Sequence, residues 1–183
     1  TWLKTIKGNN IELSFPKWLV EKWEKQFGET NTKKLCKSYL EVSPMFLRVD
    51  TSQLSLSKAI NILNRSAIKV TRYNFLGNFL KVLSGQKEIF FDNLFKCGII
   101  SIQDPASAAV AEMLKPVNGD IILDVCAAPG TKSLLMAQKV GINGRVLASD
   151  KDSSRVEMGR SDIKRHKNKN IRWSVLDATN DTF

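Results

Sequence analysis

The most constraining stretch of this 183-residue chain runs from Ile121 to Asp177. Ile121-Ile122-Leu123-Asp124-Val125-Cys126 is a nearly continuous apolar run, the pattern of a strand covered on both faces of a parallel sheet. A loop of small residues follows, Ala127-Ala128-Pro129-Gly130-Thr131, and then a helical stretch over 132–140 with Leu134, Leu135 and Ala137 inward. The turn at 141–144 leads to a second strand, 145–149, that ends at Asp150. A helix over 153–165 and a third strand over 171–176, ending at Asp177, complete a β-α-β-α-β succession. That order builds half of a doubly wound, Rossmann-like sheet.

Three polar features share the carboxyl ends of successive strands, where such sheets bind ligands. The small loop lets a ligand approach the backbone, and the following helix offers free N–H groups and a positive dipole end. Asp150 stands 20 residues beyond Gly130, the spacing at which an acidic side chain meets ribose hydroxyls. Asp177, one strand further on, can accept from a purine amino group. Together these predict a nucleoside ligand. A dinucleotide needs a glycine-rich loop against its pyrophosphate, and this loop has a single glycine. S-adenosylmethionine has no phosphate, and its amino-acid end suits Asp124 and a small loop, so the spacing favours it. An α/β domain with strand-ending aspartates and no ligand would show the same spacing.

Upstream, residues 44–103 change pattern. Strands are predicted over 45–50, 68–73, 79–83 and 99–103, with helices over 57–65 and 88–96. The order β-α-β-β-α-β is that of a small ferredoxin-like α+β domain, the arrangement RNA-recognition modules also use. Ile68, Val70 and Arg72 fall on one strand face, and Ala59, Ile60, Ile62 and Leu63 on the inner side of the helix. The aromatic signature that stacks RNA bases is missing, since Gly77-Asn78-Phe79-Leu80-Lys81 does not spell it. Residues 1–43 form a helical lead-in. Within it Pro16 opens one helix, Leu19, Val20, Trp23 and Phe27 share a stripe, Gly28 ends it, and Thr32 caps a second helix. Residues 104–183 hold the first half of the parallel sheet, entered by a helix capped at Asp104 with Pro105 in its first turn.

Charge separates these parts. The chain has 28 Lys and Arg against 18 Asp and Glu, a net +10. Up to Gly98 there are 16 basic and 8 acidic residues, and after it 12 and 10, so the excess belongs to the first half. Such an excess fits contact with nucleic-acid phosphates, and it also fits a lysine-rich soluble surface. Arg48, Lys69, Arg72 and Lys81 are the candidate RNA contacts. No apolar run approaches the ~18 residues of a membrane span, and no basic-then-apolar leader opens the chain, which starts at Thr1. The expected compartment is the cytoplasm. Cys36, Cys97 and Cys126 form no Cys-x-x-Cys pair, so neither a zinc site nor a disulfide framework is expected. The single histidine, His166, sits in Lys164-Arg165-His166-Lys167, which reads as a solvated helix end and not as part of a catalytic pair.

Asp124-Val125-Cys126-Ala127-Ala128-Pro129-Gly130-Thr131-Lys132 resembles the cofactor loop of the Sun/Fmu and nucleolar-protein family of RNA cytosine-5 methyltransferases. Met45-Phe46-Leu47-Arg48-Val49-Asp50-Thr51 is similar to that family's Leu-Arg-Val-Asn-Thr stretch, and Ile102-Gln103-Asp104-Pro105-Ala106-Ser107 to its entry helix. Asp50 replaces the usual asparagine, and Thr131 stands where a second glycine is common. The resemblance covers roughly residues 14–183 and is greatest to the bacterial small-subunit ribosomal RNA methyltransferase B type.

The resemblance implies that Cys126, Ala127, Ala128, Pro129, Gly130, Thr131 and Lys132 line S-adenosylmethionine, with Asp150 on its ribose and Asp177 on its adenine. Lys132 either approaches the cofactor carboxylate or merely starts the helix. Cys126 belongs to the cofactor loop, because the family's catalytic cysteines lie elsewhere. In the family a thiolate adds to carbon 6 of cytosine, which makes carbon 5 nucleophilic toward the methyl group. That cysteine, its partner and the fourth strand have no counterpart in these residues, so the chain alone is expected not to turn over. The expected partner is RNA, ribosomal by resemblance, with no metal. A non-catalytic RNA-binding protein with a remnant cofactor fold, and a methyltransferase for a protein or small molecule, are the competing readings.

Overall fold

The computed structural model describes residues 14–180; residues 1–13 of the predicted lead-in and residues 181–183 lie outside that range. The chain forms two units, Thr1–Pro44 and Met45–Phe183. In the first, Pro16 precedes α1 (Lys17–Phe27), and Gly28, at φ 78°, joins it directly to α2 (Glu29–Leu40). Thr32 is therefore not a cap. The positive φ of Gly28 reverses the chain within one residue, so α2 starts at Glu29 and Thr32 lies buried inside it. Of the predicted stripe Val20 is fully buried, while Phe27 remains 42% exposed. Trp23 stacks on Tyr39 at 6.1 Å and meets Phe15 edge-on at 5.3 Å, which closes the helix pair.

The second unit holds two sheets. Strands β1 (Phe46–Val49), β2 (Lys69–Tyr73), β3 (Phe79–Ser84) and β4 (Ile100–Ile102) form an antiparallel sheet in the order β2-β3-β1-β4. Helix α3 (Leu56–Arg65) links β1 to β2. Alternation assigns the faces. Leu47, Val49, Val70, Leu80, Val82 and Ile100 pack with Ala59 and Leu63 of α3, whereas Ile62 lies on its outer flank at 37% exposure. The predicted helix over 88–96 is two pieces, a 3-10 turn (Glu88–Phe91) and the short α4 (Asn93–Lys96). Asp92 separates them because its backbone is extended and its carboxylate accepts the Leu94 N–H at 2.8 Å.

The opposite face of this ferredoxin-like sheet carries Phe46, Tyr73 and Phe79. It packs in one cluster with Ala108 and Ala111 of α5 (Pro105–Met113) and with Leu135. Asp104 caps α5, accepting from the Ser107 N–H at 3.0 Å. The face on which an RNA-recognition module would stack bases is thus covered here by the rest of the unit.

The second sheet is parallel, in the order β5-β6-β7, with β5 (Ile121–Asp124), β6 (Arg145–Asp150) and β7 (Ile171–Val175). Helices α6 (Thr131–Val140) and α7 (Ser153–His166) make the crossovers, giving a Rossmann-like half-sheet. Right-handed crossovers running in one direction place both helices on one side, over Ile122, Val146, Ala148 and Trp173. The predicted cover on both faces of β5 is therefore not found among the described residues. Ile121 and Leu123 point to the other side and are 76% and 50% exposed.

Two polar contacts join the sheets. Arg48 on β1 is 2% exposed; its Nε donates to Gln103 Oε1 at 2.6 Å and its Nη1 to Gln138 Oε1 on α6. Gln138 Nε2 in turn donates to Asp50 Oδ2 at 3.1 Å. Burial pushes the Arg48 pKa down to about 10, against the opposing pull of Asp50, so it keeps its charge at neutral pH. At the second contact His166 is 5% exposed, contrary to the solvated helix end its sequence suggests. The last turn of α7 docks on the Gly98 turn. There His166 Nδ1 donates to Gly98 O at 2.6 Å, and Nε2 lies 2.8 Å from Arg165 Nη2 and 3.6 Å from Asp162 Oδ2. Arg165 Nη1 reaches the carbonyls of Phe95 and Ile100, and its guanidinium lies 4.0 Å from the centre of the Phe95 ring.

Asp162 anchors this corner, with Oδ1 2.7 Å from Arg165 Nη2. Burial raises its pKa, but the contacts from His166 and Arg165 outweigh that and hold it below the ordinary carboxylate value. The resulting stabilisation is complete above the unfolded value of about 4 and is lost as the pH falls through the lower folded value. Asp162→Asn is therefore expected to melt lower than the parent at pH 7, with the gap narrowing as the pH falls through the lowered folded value. A melting gap that stays constant down to pH 2.5 would remove Asp162 from this role.

Candidate cofactor loop

The carboxyl end of β5 is built around the loop. Asp124 accepts from Ser133 Oγ at 2.6 Å, tying the strand end to the first turn of α6. The Ala127 N–H donates to Ser149 O at 2.9 Å, which fastens the loop to β6. Ala127 and Ala128 are buried, and the Ala128–Pro129 peptide is cis. Gly130 sits at φ 108° immediately before α6. A β-carbon there would lie 2.8 Å from the Trp173 ring, and one on Gly159 of α7 only 2.5 Å from it. Both glycines leave room for this indole beneath the loop. Gly130 contributes no side-chain cap and the first turn of α6 holds no acidic residue of its own, so its N–H end faces the loop, with the Asp124 carboxylate to one side on Ser133.

Asp150 ends β6 at 6% exposure. Its Oδ2 accepts from the Ala128 N–H at 3.2 Å, and its Oδ1 from the Asp152 N–H at 3.1 Å. Arg155 completes the enclosure, with Nη1 3.6 Å from Asp150 Oδ2 and Nη2 donating to Ala128 O. Asp150 is paired with Val175 across the ladder, and the Leu176 N–H reaches Asp150 O at 3.2 Å, which places Asp177 beside it. Asp177 Oδ1 accepts from Thr179 Oγ1 at 2.7 Å and from its N–H at 2.9 Å, and these bonds hold its carboxyl below the usual range. Cys126 is exposed, and Thr131 and Lys132 are half-buried in the first turn of α6. The structure thus gathers Asp124, the loop 126–132, Asp150 and Asp177 at one edge of the sheet. The arrangement offers carboxylate acceptors for hydroxyls and an N–H end for an anionic group.

The four predicted RNA contacts are not gathered in this way. Arg48 is enclosed by Gln103 and Gln138 and has no surface to offer, which corrects its assignment. Lys69, Arg72 and Lys81 are exposed. Arg72 is in register with Leu80 on the α3 side and donates to Ser57 Oγ at 2.8 Å, whereas Lys81 pairs with Phe46 on the other face. Sequence reasoning missed Ser133, Arg155, Gly159 and Trp173. Only a lone glycine within a polar helix hinted at the last pair.

Residues 111–182 match the 16S rRNA methyltransferase RsmB/F family, and residues 15–86 match the ferredoxin-like domain of RsmF/B-like methyltransferases. The chain is 31% identical over 147 residues to the probable ribosomal RNA small subunit methyltransferase B of Bacillus subtilis, covering 80% of this chain and 32% of that protein. Among solved structures it is similar to a methyltransferase homologue from Pyrococcus horikoshii, at 23% identity and a TM-score of 0.82, covering 92% of this chain and 55% of the other. It is also similar to NSun6 from Pyrococcus horikoshii with SFG, at 22% identity and a TM-score of 0.79, covering 90% and 66%. At such identities these two likenesses bear on the fold. The chain spans about a third of the length of the curated relatives it matches. With the ferredoxin-like sheet, the parallel half-sheet and both family matches in one chain, it belongs to the RsmB/F family of methyltransferases.

Proposed function

We propose that the complete protein is an S-adenosylmethionine-dependent RNA cytosine-5 methyltransferase that acts on ribosomal RNA in the cytoplasm. The observation that carries this reading is the loop edge, where a nearly buried carboxylate and an uncapped helix start face the same small-residue turn. That donor set fits S-adenosylmethionine. Asp150 would accept from the ribose hydroxyls, Asp177 from the adenine amino group, and residues 126–132 would line the methionine part. The cofactor supplies the methyl group. This chain's residues hold it against the sheet and set its orientation, with Arg155 and the Trp173 ring fixing the loop and Asp150 from behind. The excess of basic residues and the naming of the curated relatives support an RNA acceptor.

The test is transfer from methyl-labelled S-adenosylmethionine to cytosine-containing ribosomal RNA by the full-length protein, with label expected at carbon 5. Asp150→Ala should weaken cofactor binding by about 1–3 kcal/mol, the cost of leaving buried partners unpaired. Unchanged affinity in a folded variant would take Asp150 out of the site. No transfer by the parent where RNA does bind would favour an RNA-binding protein with a remnant cofactor fold.

A further inference from the structure

At the opposite end of the parallel sheet lies a second concavity, a cleft of about 460 Å³ between the ends of α6 and α7 and the starts of β6 and β7. Four exposed cations line it: Arg145 at the start of β6, Lys167 and Lys169 in the connection after α7, and Arg172 on β7. Among the described residues none of the four makes an ion pair or a side-chain hydrogen bond. By contrast Lys139, Arg155 and Arg165, elsewhere in the same unit, each have an acidic partner. The six residues of β6 separate this cleft from the cofactor loop by roughly 17–20 Å.

We propose that this cleft holds consecutive phosphates of the RNA backbone, a contact separate from the cofactor edge; the proposal rests on the RNA reading above. The charge balance decides for an anion. The carboxyl ends of α6 and α7 each bring about half a negative charge, and Asp50 on the far wall brings one. Four positive charges exceed that sum by about two. Asp50 is moreover occupied, since its oxygens accept from Ser52, Gln53 and Gln138. A single small anion would leave most of the cations unmatched, whereas a polyanionic strand can meet each in turn. None of the described lining residues is aromatic, so the cleft has nothing on which to stack a base. Contact through phosphates alone positions RNA without reading its sequence. The cleft also gives RNA a place to bind on a molecule whose first sheet has both faces covered.

The experiment compares the full-length protein with a variant carrying Arg145→Gln, Lys167→Gln, Lys169→Gln and Arg172→Gln. A control variant loses the same charge elsewhere, through Lys22→Gln, Lys25→Gln, Lys34→Gln and Lys37→Gln on α1 and α2. Binding of a ribosomal RNA hairpin is titrated at several salt concentrations, and S-adenosylmethionine binding is measured in parallel. The cleft variant should bind RNA about 10- to 100-fold more weakly at 0.1 M salt, with its log–log salt slope flattened by about 2–3, as expected for loss of three to four phosphate contacts. Its cofactor affinity should match the parent's, and the control should lose much less RNA affinity. If the cleft variant keeps the parent's affinity and slope, or if the control loses as much, the cleft is not the contact, although the RNA reading stands. If the parent itself does not bind RNA, both fall.

Discussion

Arg48→Ala is expected to destabilise the protein by about 3–5 kcal/mol, the range for removing one member of a buried charged network. Arg48 has almost no exposed surface and donates to the amide oxygens of Gln103, just after β4, and of Gln138 on α6. Truncation would leave both amide oxygens without their guanidinium donor and the Asp50 carboxylate without the adjacent positive charge, and it would open a void where the guanidinium lay. Arg48 Nη2 and Gln103 Nε2 already lack partners among the described residues, so the native cluster carries an uncompensated cost. For that reason Arg48→Met, which refills the volume without the charge, should recover part of the loss. Urea denaturation of the two variants measures this. An alanine variant within 0.5 kcal/mol of the parent would show that the cluster does not hold the two sheets together.

Gly98→Ala should cost roughly 2–4 kcal/mol. The residue sits at φ 72°, where a β-carbon alone is penalised by about 1–2 kcal/mol. The added methyl would also lie 2.5 Å from His166 Cα, 2.6 Å from Arg165 O and 2.8 Å from His166 N. All three are backbone atoms, so no side-chain rotation can relieve the overlap, and the end of α7 must move away. The displacement would break the 2.6 Å bond from His166 to Gly98 O. Gly77→Ala is the matched control, because nothing lies within 4 Å of its virtual β-carbon and no positive φ opposes it. Its melting temperature should stay within a degree or two of the parent, while that of Gly98→Ala falls clearly. Equal melting of the two variants would contradict the close packing at this turn.

The periodicity of the chain carried its architecture well. The strands read over 45–50, 68–73, 79–83 and 99–103 fall on β1 to β4 within a residue at each end, and the repeated strand-loop-helix order after Ile121 anticipated the parallel ones. Local chemistry also anticipated which residues share the carboxyl edge of the parallel sheet, because the small-residue turn and the strand-ending aspartates lie close in sequence. What was hidden depends on contacts between distant residues. Arg48 reads as a surface cation until Gln138, ninety positions later, closes over it. His166 sits in a charged run that looks solvated, yet a turn without a β-carbon 68 residues earlier receives it. Trp173 and Gly159 likewise acquire meaning only as a pair.

The two polar contacts between the sheets have a consequence for motion. A single attachment between two bodies leaves them free to rotate about it, but two attachments well apart remove that freedom. Arg48 clasps α6, and the Gly98 turn clasps the far end of α7. The apolar cluster around Phe79 fills the space between the sheets. Hinge opening would have to break all three together. The ferredoxin-like sheet and the carboxyl edge of the parallel sheet are therefore held at a fixed distance and angle, like two ends of one ruler.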